Sequence, residues 1–298
     1  MRLTLLAALI SLNAFAQYNA GAGHNAPAAA PTKELRADKN GKTYEVTVTK
    51  EAARDSYGNA QGSQYDLAVD GAFGGQTVFV VDLYRQDFSQ AASAIRKKGF
   101  NVVRYQDVPP IAEFKQALEK SNQFWIIASC DDSVHLSKEH QAAVKQFFDA
   151  GHGVYLWGDN DPCNADADSL ASMLIDARVK GNLYGDQVVA RSDGAGKPGV
   201  VREHLLSTGV ENIYEGITVA TVKPAGALTP VIYGSAGNLV TAAFEANKKR
   251  LIIDGGFTRL SNKWDSAGTG RYVMNAAAWL ANYERFGDAV VAGEFKKK

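Results

Sequence analysis

Carboxylates gather where the apolar runs of this chain end. Asp82, Asp131, Asp132, Asp159, Asp161 and Asp254 each close or follow such a run, with Asp166 and Asp168 close behind. If the runs are strands of an open α/β sheet, this rim is where ligands bind. Closely spaced carboxylates there could hold Ca²⁺ or Mg²⁺, and Asp159 and Asp161, alternating around Asn160, have the spacing such loops use. Paired carboxylates could also serve as acid and base. The competing role is structural, since Asp and Asn fill turns and cap helices after most strands. His135 follows Cys130-Asp-Asp132 on the same rim and could be a base, a ligand or a solvated residue at a helix entry. His24, His140, His152 and His204 show none of the short spacings of a zinc site.

The segment GHGVYLWGDND at 151–161 reads as a buried strand running into a sharp polar turn. In an α/β fold a nucleophile would stand on that turn. Gly158 occupies the position and has no side chain to attack with. No serine lies in a Gly-x-Ser-x-Gly elbow. The glycine-rich stretch 194–199 lacks the order of a phosphate loop and reads as a mobile loop. Trp125, Trp157, Trp264 and Tyr272 could include surface aromatics for sugar or protein contact, although Trp157 and Tyr272 suit a core equally well.

These residues need a scaffold, and the patterning supplies one. Continuous apolar runs at 77–82, 124–129 and 154–157 suit strands covered on both faces, and 101–104 is a further short strand. Between them, 88–98, 110–120, 137–150 and 166–176 carry helical stripes, the second opened by Pro110 and the third by Ser137. Four strand–helix repeats in a row imply a doubly wound, mostly parallel sheet of flavodoxin-like type. A glycine-rich stretch at 179–247 holds strand-like runs at 216–222, 230–233 and 239–244. A core strand at 250–254 and an amphipathic helix at 271–283 close the domain, which spans 73–285 and leaves a tail at 286–298. Ahead of it, 41–72 reads as a small β appendage with strands at 43–49 and 64–69, and 17–40 as a flexible lead-in.

Residues 1–16 read as a secretory signal peptide, with Arg2, an apolar run from Leu3 to Leu12, and Ala14-Phe15-Ala16 before Gln17. That run is too short to span a bilayer, so a secreted or periplasmic protein without a membrane span is expected. In such a compartment Cys130 and Cys163 are expected to form a disulfide rather than remain inert or reactive thiols. The 32 basic side chains balance 32 acidic ones, which argues against a nucleic-acid or anionic-membrane surface.

Three segments together carry a resemblance: 151–160, then GVENIYEGI at 209–217, and RLIIDGGFTR at 250–259 with RYVMNAAAWL at 271–280. Over roughly residues 75–285 the chain resembles the class I glutamine amidotransferase-like superfamily, closest to its non-catalytic members such as trehalose-utilisation-like proteins and the amidotransferase-like domain of an intraflagellar transport protein. Catalytic members carry a cysteine on the tight turn after a central strand, backbone N–H groups for the oxyanion and a histidine base. The resemblance puts Gly158 at the nucleophile position. Cys163 lies past Pro162, and no His-x-Glu or His-x-Asp pair closes the chain. The expectation is an exported, non-enzymatic binding domain without a required cofactor, its ligand a small molecule, saccharide or protein. Asp131, Asp132, His135, Gly158, Asp159, Asn160, Asp161 and Asp254 would form its surface. The alternative is a carboxylate- or metal-dependent hydrolase using Asp131, Asp159 or Asp161.

Overall fold

The computed structural model describes residues 29–192, 196–223, 226–264 and 268–286. The expected signal peptide, the first part of the lead-in, residues 194 and 195 of the glycine-rich loop and the tail from 287 lie outside the described residues.

The repeats expected from the apolar runs are present. In chain order the strands are β1 (Ala29–Ala37), β2 (Thr43–Glu51), β3 (Thr77–Asp82), β4 (Asn101–Tyr105), β5 (Gln123–Ile127), β6 (Gly153–Trp157) and β7 (Arg178–Tyr184). They continue as β8 (Val188–Ser192), β9 (Gly199–Val201), β10 (Asn212–Tyr214), β11 (Thr218–Lys223), β12 (Leu228–Tyr233), β13 (Leu239–Ala246) and β14 (Lys249–Asp254). The main helices are α1 (Ser89–Lys97), α2 (Ile111–Glu119), α3 (Lys138–Asp149), α4 (Ala165–Ile175) and α5 (Thr269–Leu280).

A ten-stranded sheet runs β10-β8-β9-β12-β13-β14-β6-β5-β3-β4. From β14 to β4 every neighbouring pair is parallel, while β14-β13, β13-β12 and β12-β9 are antiparallel. The parallel strands read as unbroken apolar runs because both faces are covered. Val78, Val80, Trp125, Tyr155 and Trp157 pack on the face of α1 and α5. Phe79, Val81, Phe124, Ile126, Val154 and Leu156 pack on the opposite face with α2, α3 and α4. β7 and β11 form a separate two-stranded sheet. Among the described residues no helix is long and apolar enough to cross a membrane.

Three expectations need correction. Part of the lead-in is strand: β1 pairs antiparallel with β2, joined by a turn in which Asp38 Oδ1 accepts the N–H groups of Asn40 and Lys42. Lys33, Glu34 and Arg36 hid that strand from an apolar pattern, since both its faces are largely exposed. The run 64–69, conversely, is not a strand. Residues 63–65 form a 3₁₀ turn, Tyr65, Asp66, Leu67 and Ala68 are all buried, and the Leu67 N–H donates to Asn275 Oδ1 on α5 at 2.7 Å instead of to a ladder. Finally, Trp125, Trp157 and Tyr272 are fully buried and Trp264 nearly so, so none offers a surface platform.

Candidate functional site

The turn between β6 and α4 is built from its own backbone. Gly158 N–H donates to Asp254 O at 2.7 Å, Asp159 N–H to Cys163 O at 3.0 Å, and Asp161 N–H to Gly181 O at 3.0 Å. Asn160 N–H donates to Asp159 Oδ1 at 2.8 Å, and Cys163 N–H to Asn160 O at 2.7 Å. An oxyanion hole needs free N–H groups aimed at one point, and each of these is already spent. Nor is Gly158 held in the left-handed backbone of a strained elbow. Glycine is required there for space: a Cβ would press on Asn164 and Ala167 at 3.3 Å.

Asp159 points inward. It is 1% exposed; Oδ1 accepts from Thr218 Oγ1 at 3.0 Å and Oδ2 accepts from the Thr258 N–H at 3.3 Å, tying the turn to β11 and to the segment after β14. Burial pushes its carboxyl up to about 6, opposed by these hydrogen bonds. Asp254 is fully buried at the end of β14. It accepts from Thr241 Oγ1 at 2.9 Å, the Gly256 N–H at 3.0 Å and Tyr155 OH at 3.2 Å, and pairs with the buried Arg259 guanidinium at 3.2 Å. Arg259 also donates to Glu215 O at 2.7 Å. Burial drives the Asp254 carboxyl up and Arg259 draws it down. Burial likewise raises Tyr155 and Tyr272, whose hydroxyls meet at 2.7 Å. Asp82 is interior too, bound to Arg104 and to the Arg85 N–H. The expected acidic rim is therefore divided, and Asp159 and Asp254 are interior struts rather than surface ligands.

Asp131, Asp132, His135 and Asp161 remain at the surface, with Asn160 half-buried. Asp131 Oδ1 accepts the Ser133 N–H at 2.9 Å and the Ser133 hydroxyl at 2.7 Å, which hold its carboxyl below the usual range. Asp161 accepts from Asn164 Nδ2 at 2.6 Å and the Gly181 N–H at 3.1 Å. Asp159 is turned inward and Asp161 is engaged within the fold, so these two carboxylates do not face one point as a cation loop would need. Among the described residues no group of three or more His, Cys, Asp or Glu side chains could hold a metal ion.

Two links join the loops after β5 and β6. Cys130 and Cys163 form the expected disulfide, and among the described residues no cysteine is free. Beside it in sequence on both loops, His135 Nδ1 lies 2.9 Å from Oδ2 of Asp166, a carboxylate 1% exposed whose Oδ1 accepts the Leu136 N–H at 2.9 Å. A carboxylate only accepts, so Nδ1 carries the proton in this contact. The side chain is 34% exposed. Asp166 as the orienter of His135 was not legible in sequence, where it read as a helix-start acid; Arg259 as the partner of Asp254 was equally hidden. The other buried histidines are structural: His140 donates its N–H to the capping Ser137 Oγ and packs on Phe114, while His204 accepts the Leu206 N–H and meets Trp279 edge-on. A groove of about 870 Å³ between α1, residues 55–66 and the start of α5 contains none of the candidate carboxylates or histidines, and its Asp66 is bound to Lys98 and Arg271.

No family model matches this sequence, and no curated protein matches it. Similar solved structures include the exo-β-1,4-mannosidase Op5Man5 from Opitutaceae bacterium strain TAV5, at 12% identity over 70% of this chain with a TM-score of 0.40. The chain spans 36% of the length of that enzyme. A GMP synthase subunit from Thermoplasma acidophilum shows 10% identity, covering 70% of this chain and 96% of its own, with a TM-score of 0.42. PurLQS from Thermotoga maritima shows 9% identity over 68% of this chain and 97% of its own, also at 0.42. Likeness at this level carries nothing about activity.

Proposed function

We propose that this chain is an exported, non-enzymatic binding domain on an amidotransferase-like scaffold, of the non-catalytic branch that its sequence resembles. The observation that supports this reading is the turn after β6. Gly158 supplies no nucleophile, and the N–H groups of 158, 159, 160 and 161 are bonded within the fold. Cysteine hydrolase chemistry needs both a nucleophile and an oxyanion hole, and neither is formed. What remains at the carboxyl ends of the parallel strands is a cross-linked polar surface suited to holding a ligand.

The test is an activity panel of ester, amide and glycoside substrates run beside a thermal-shift screen with neutral sugars, Ca²⁺ and Mg²⁺. Inertness across the panel with a ligand that raises the melting temperature is the expected result, because a ligand bound only by the native state stabilises it by mass action. Turnover lost in Asp131→Asn or Asp159→Asn overturns this reading in favour of a carboxylate-dependent hydrolase.

A further inference from the structure

The first two strands have no strand partner but each other. β1 and β2 pair antiparallel along their whole length, and no strand of the main sheet joins them. Between Lys33 and Val48 no residue is buried. A two-stranded hairpin is at best marginally stable in water, and a third strand is one of the ways it is secured. Its outer edges present backbone N–H and C=O groups that can template such a strand.

The turn fixes which groups those are. The Asp38 N–H donates to Lys42 O at 3.0 Å, so this residue faces β2. Backbone direction alternates along a strand, so Arg36 and Glu34 also bond to β2, opposite Tyr44 and Val46. Lys33, Leu35 and Ala37 turn their N–H and C=O groups outward. Leu35 is also 74% exposed, more than any other large hydrophobic residue among those described. On the opposite face from Leu35, Glu34 pairs with Lys50 across the hairpin. Arg36 lies 3.7 Å from Glu34, and its side chain stays 54% exposed.

We propose that β1 pairs antiparallel with β1 of a second copy of this chain, about a two-fold axis through Leu35 and perpendicular to the hairpin. The two hairpins then form one four-stranded sheet. Leu35 meets Leu35 of the second copy as a hydrogen-bonded pair, and Lys33 exchanges backbone bonds with the other Ala37. Each Glu34 stands opposite Arg36 of the other copy. Opposite charges facing each other across strands stabilise a sheet, and like charges destabilise it. Charge therefore selects the register. An axis on Lys33, Glu34 or Arg36 sets that charge against itself, and one on Ala37 runs half the pairing into the turn. The outer edge of β2 offers no equivalent. Glu45 and Glu51 project from the face opposite to Lys50, so no such two-fold brings opposite charges together there. This contact is separate from the rim at the carboxyl ends of the parallel strands and does not depend on what that rim holds.

The test is sedimentation velocity on the full chain over a series from about 1 µM to about 1 mM. The wild type passes from monomer to dimer. Leu35→Pro removes an outward N–H that β2 does not use and weakens dimerisation by about tenfold or more. Thr47→Pro, the same change on the outer edge of β2, stays within about threefold of the wild type. Arg36→Glu and Glu34→Lys are each monomeric, yet associate when mixed, because only the mixed pair sets opposite charges together. A variant that had merely lost its fold would not recover on mixing. Leu35→Cys, its Cα about 5.5 Å from that of the second copy, cross-links on mild oxidation, and Lys33→Cys does not. Each variant is first shown to melt as the wild type does at the lowest concentration. A wild type that stays monomeric throughout overturns the proposal. So does a dimer that survives Leu35→Pro but is lost in Thr47→Pro, or a mixture of the two charge variants that remains monomeric.

Discussion

Restoring a side chain at position 158 tests whether the turn after β6 is an emptied elbow or a filled one. In Gly158→Cys the new Cβ meets Ala167 Cβ, Asn164 Cα and Asn164 Cβ, all at 3.3 Å, and Gly158 is buried. Those neighbours belong to the start of α4, which the Cys130–Cys163 bond holds against the turn. They can yield only by moving the helix. Overpacking of this kind costs about 1–3 kcal/mol, which for a domain of this size lowers the melting temperature by about 2–10 °C. Gly158→Ala suffers the same contacts without a thiol and falls at the low end of that range. The sulfur of Gly158→Cys stays shielded, because no N–H in the turn is free to stabilise a thiolate. The assays are thermal unfolding and the rate of iodoacetamide alkylation of the native protein. A Gly158→Cys protein as stable as the wild type, alkylated faster than free cysteine or able to hydrolyse glutamine, would refute the reasoning: the turn would then be a working elbow that lacks only its nucleophile.

Other outcomes follow from the buried groups. Removing either cysteine opens a loop of 33 residues and costs about 3–4 kcal/mol on the chain-entropy account, read as a lower denaturant midpoint for Cys163→Ser and for the reduced wild type alike. Arg259→Met leaves the Asp254 carboxylate unpaired among Tyr155, Thr241 and Tyr272; a loss of about 3–5 kcal/mol is expected by chemical denaturation, and a neutral effect would refute the pairing. Asp159 titrates at about 6 when folded and near ~3.9 when unfolded, so between these values the native state binds more protons. Its contribution to stability therefore improves as pH falls from about 7 to about 4.5, and the wild type gains on Asp159→Asn over that window. His152, half-buried between Phe147 and Phe286, has the opposite sign: desolvation lowers it to about 4, the unfolded chain takes up the proton first, and stability is lost as pH falls from ~6.5 towards that value. His152→Gln flattens that acid limb.

Much of the fold was legible because double burial leaves a strong local mark. A strand covered on both faces is apolar along its covered length, and 78–81, 124–127 and 154–157 are. The helices between them carried their own caps and stripes, Ser137 before α3 being one. Legibility failed where the backbone partner was distant. β1 has no apolar stripe and exists through its pairing with β2, while 64–69 alternates like a strand and is held by Asn275 from the far end of the chain.

The sequence by itself determined the strand–helix alternation, the absence of a side chain at Gly158, and the presence of two cysteines on successive strand ends. These are properties of single residues or of short runs, and local physical chemistry decides them. Only the tertiary structure decided which carboxylates face water. Asp131 and Asp159 both follow neighbouring strands, yet one is exposed and the other is sealed by Thr218 and Thr258. It also decided that Asp166 orients His135 across 31 residues and that Arg259 lies buried against Asp254. Burial and pairing depend on which loops the strand order brings side by side, and no local pattern records that order.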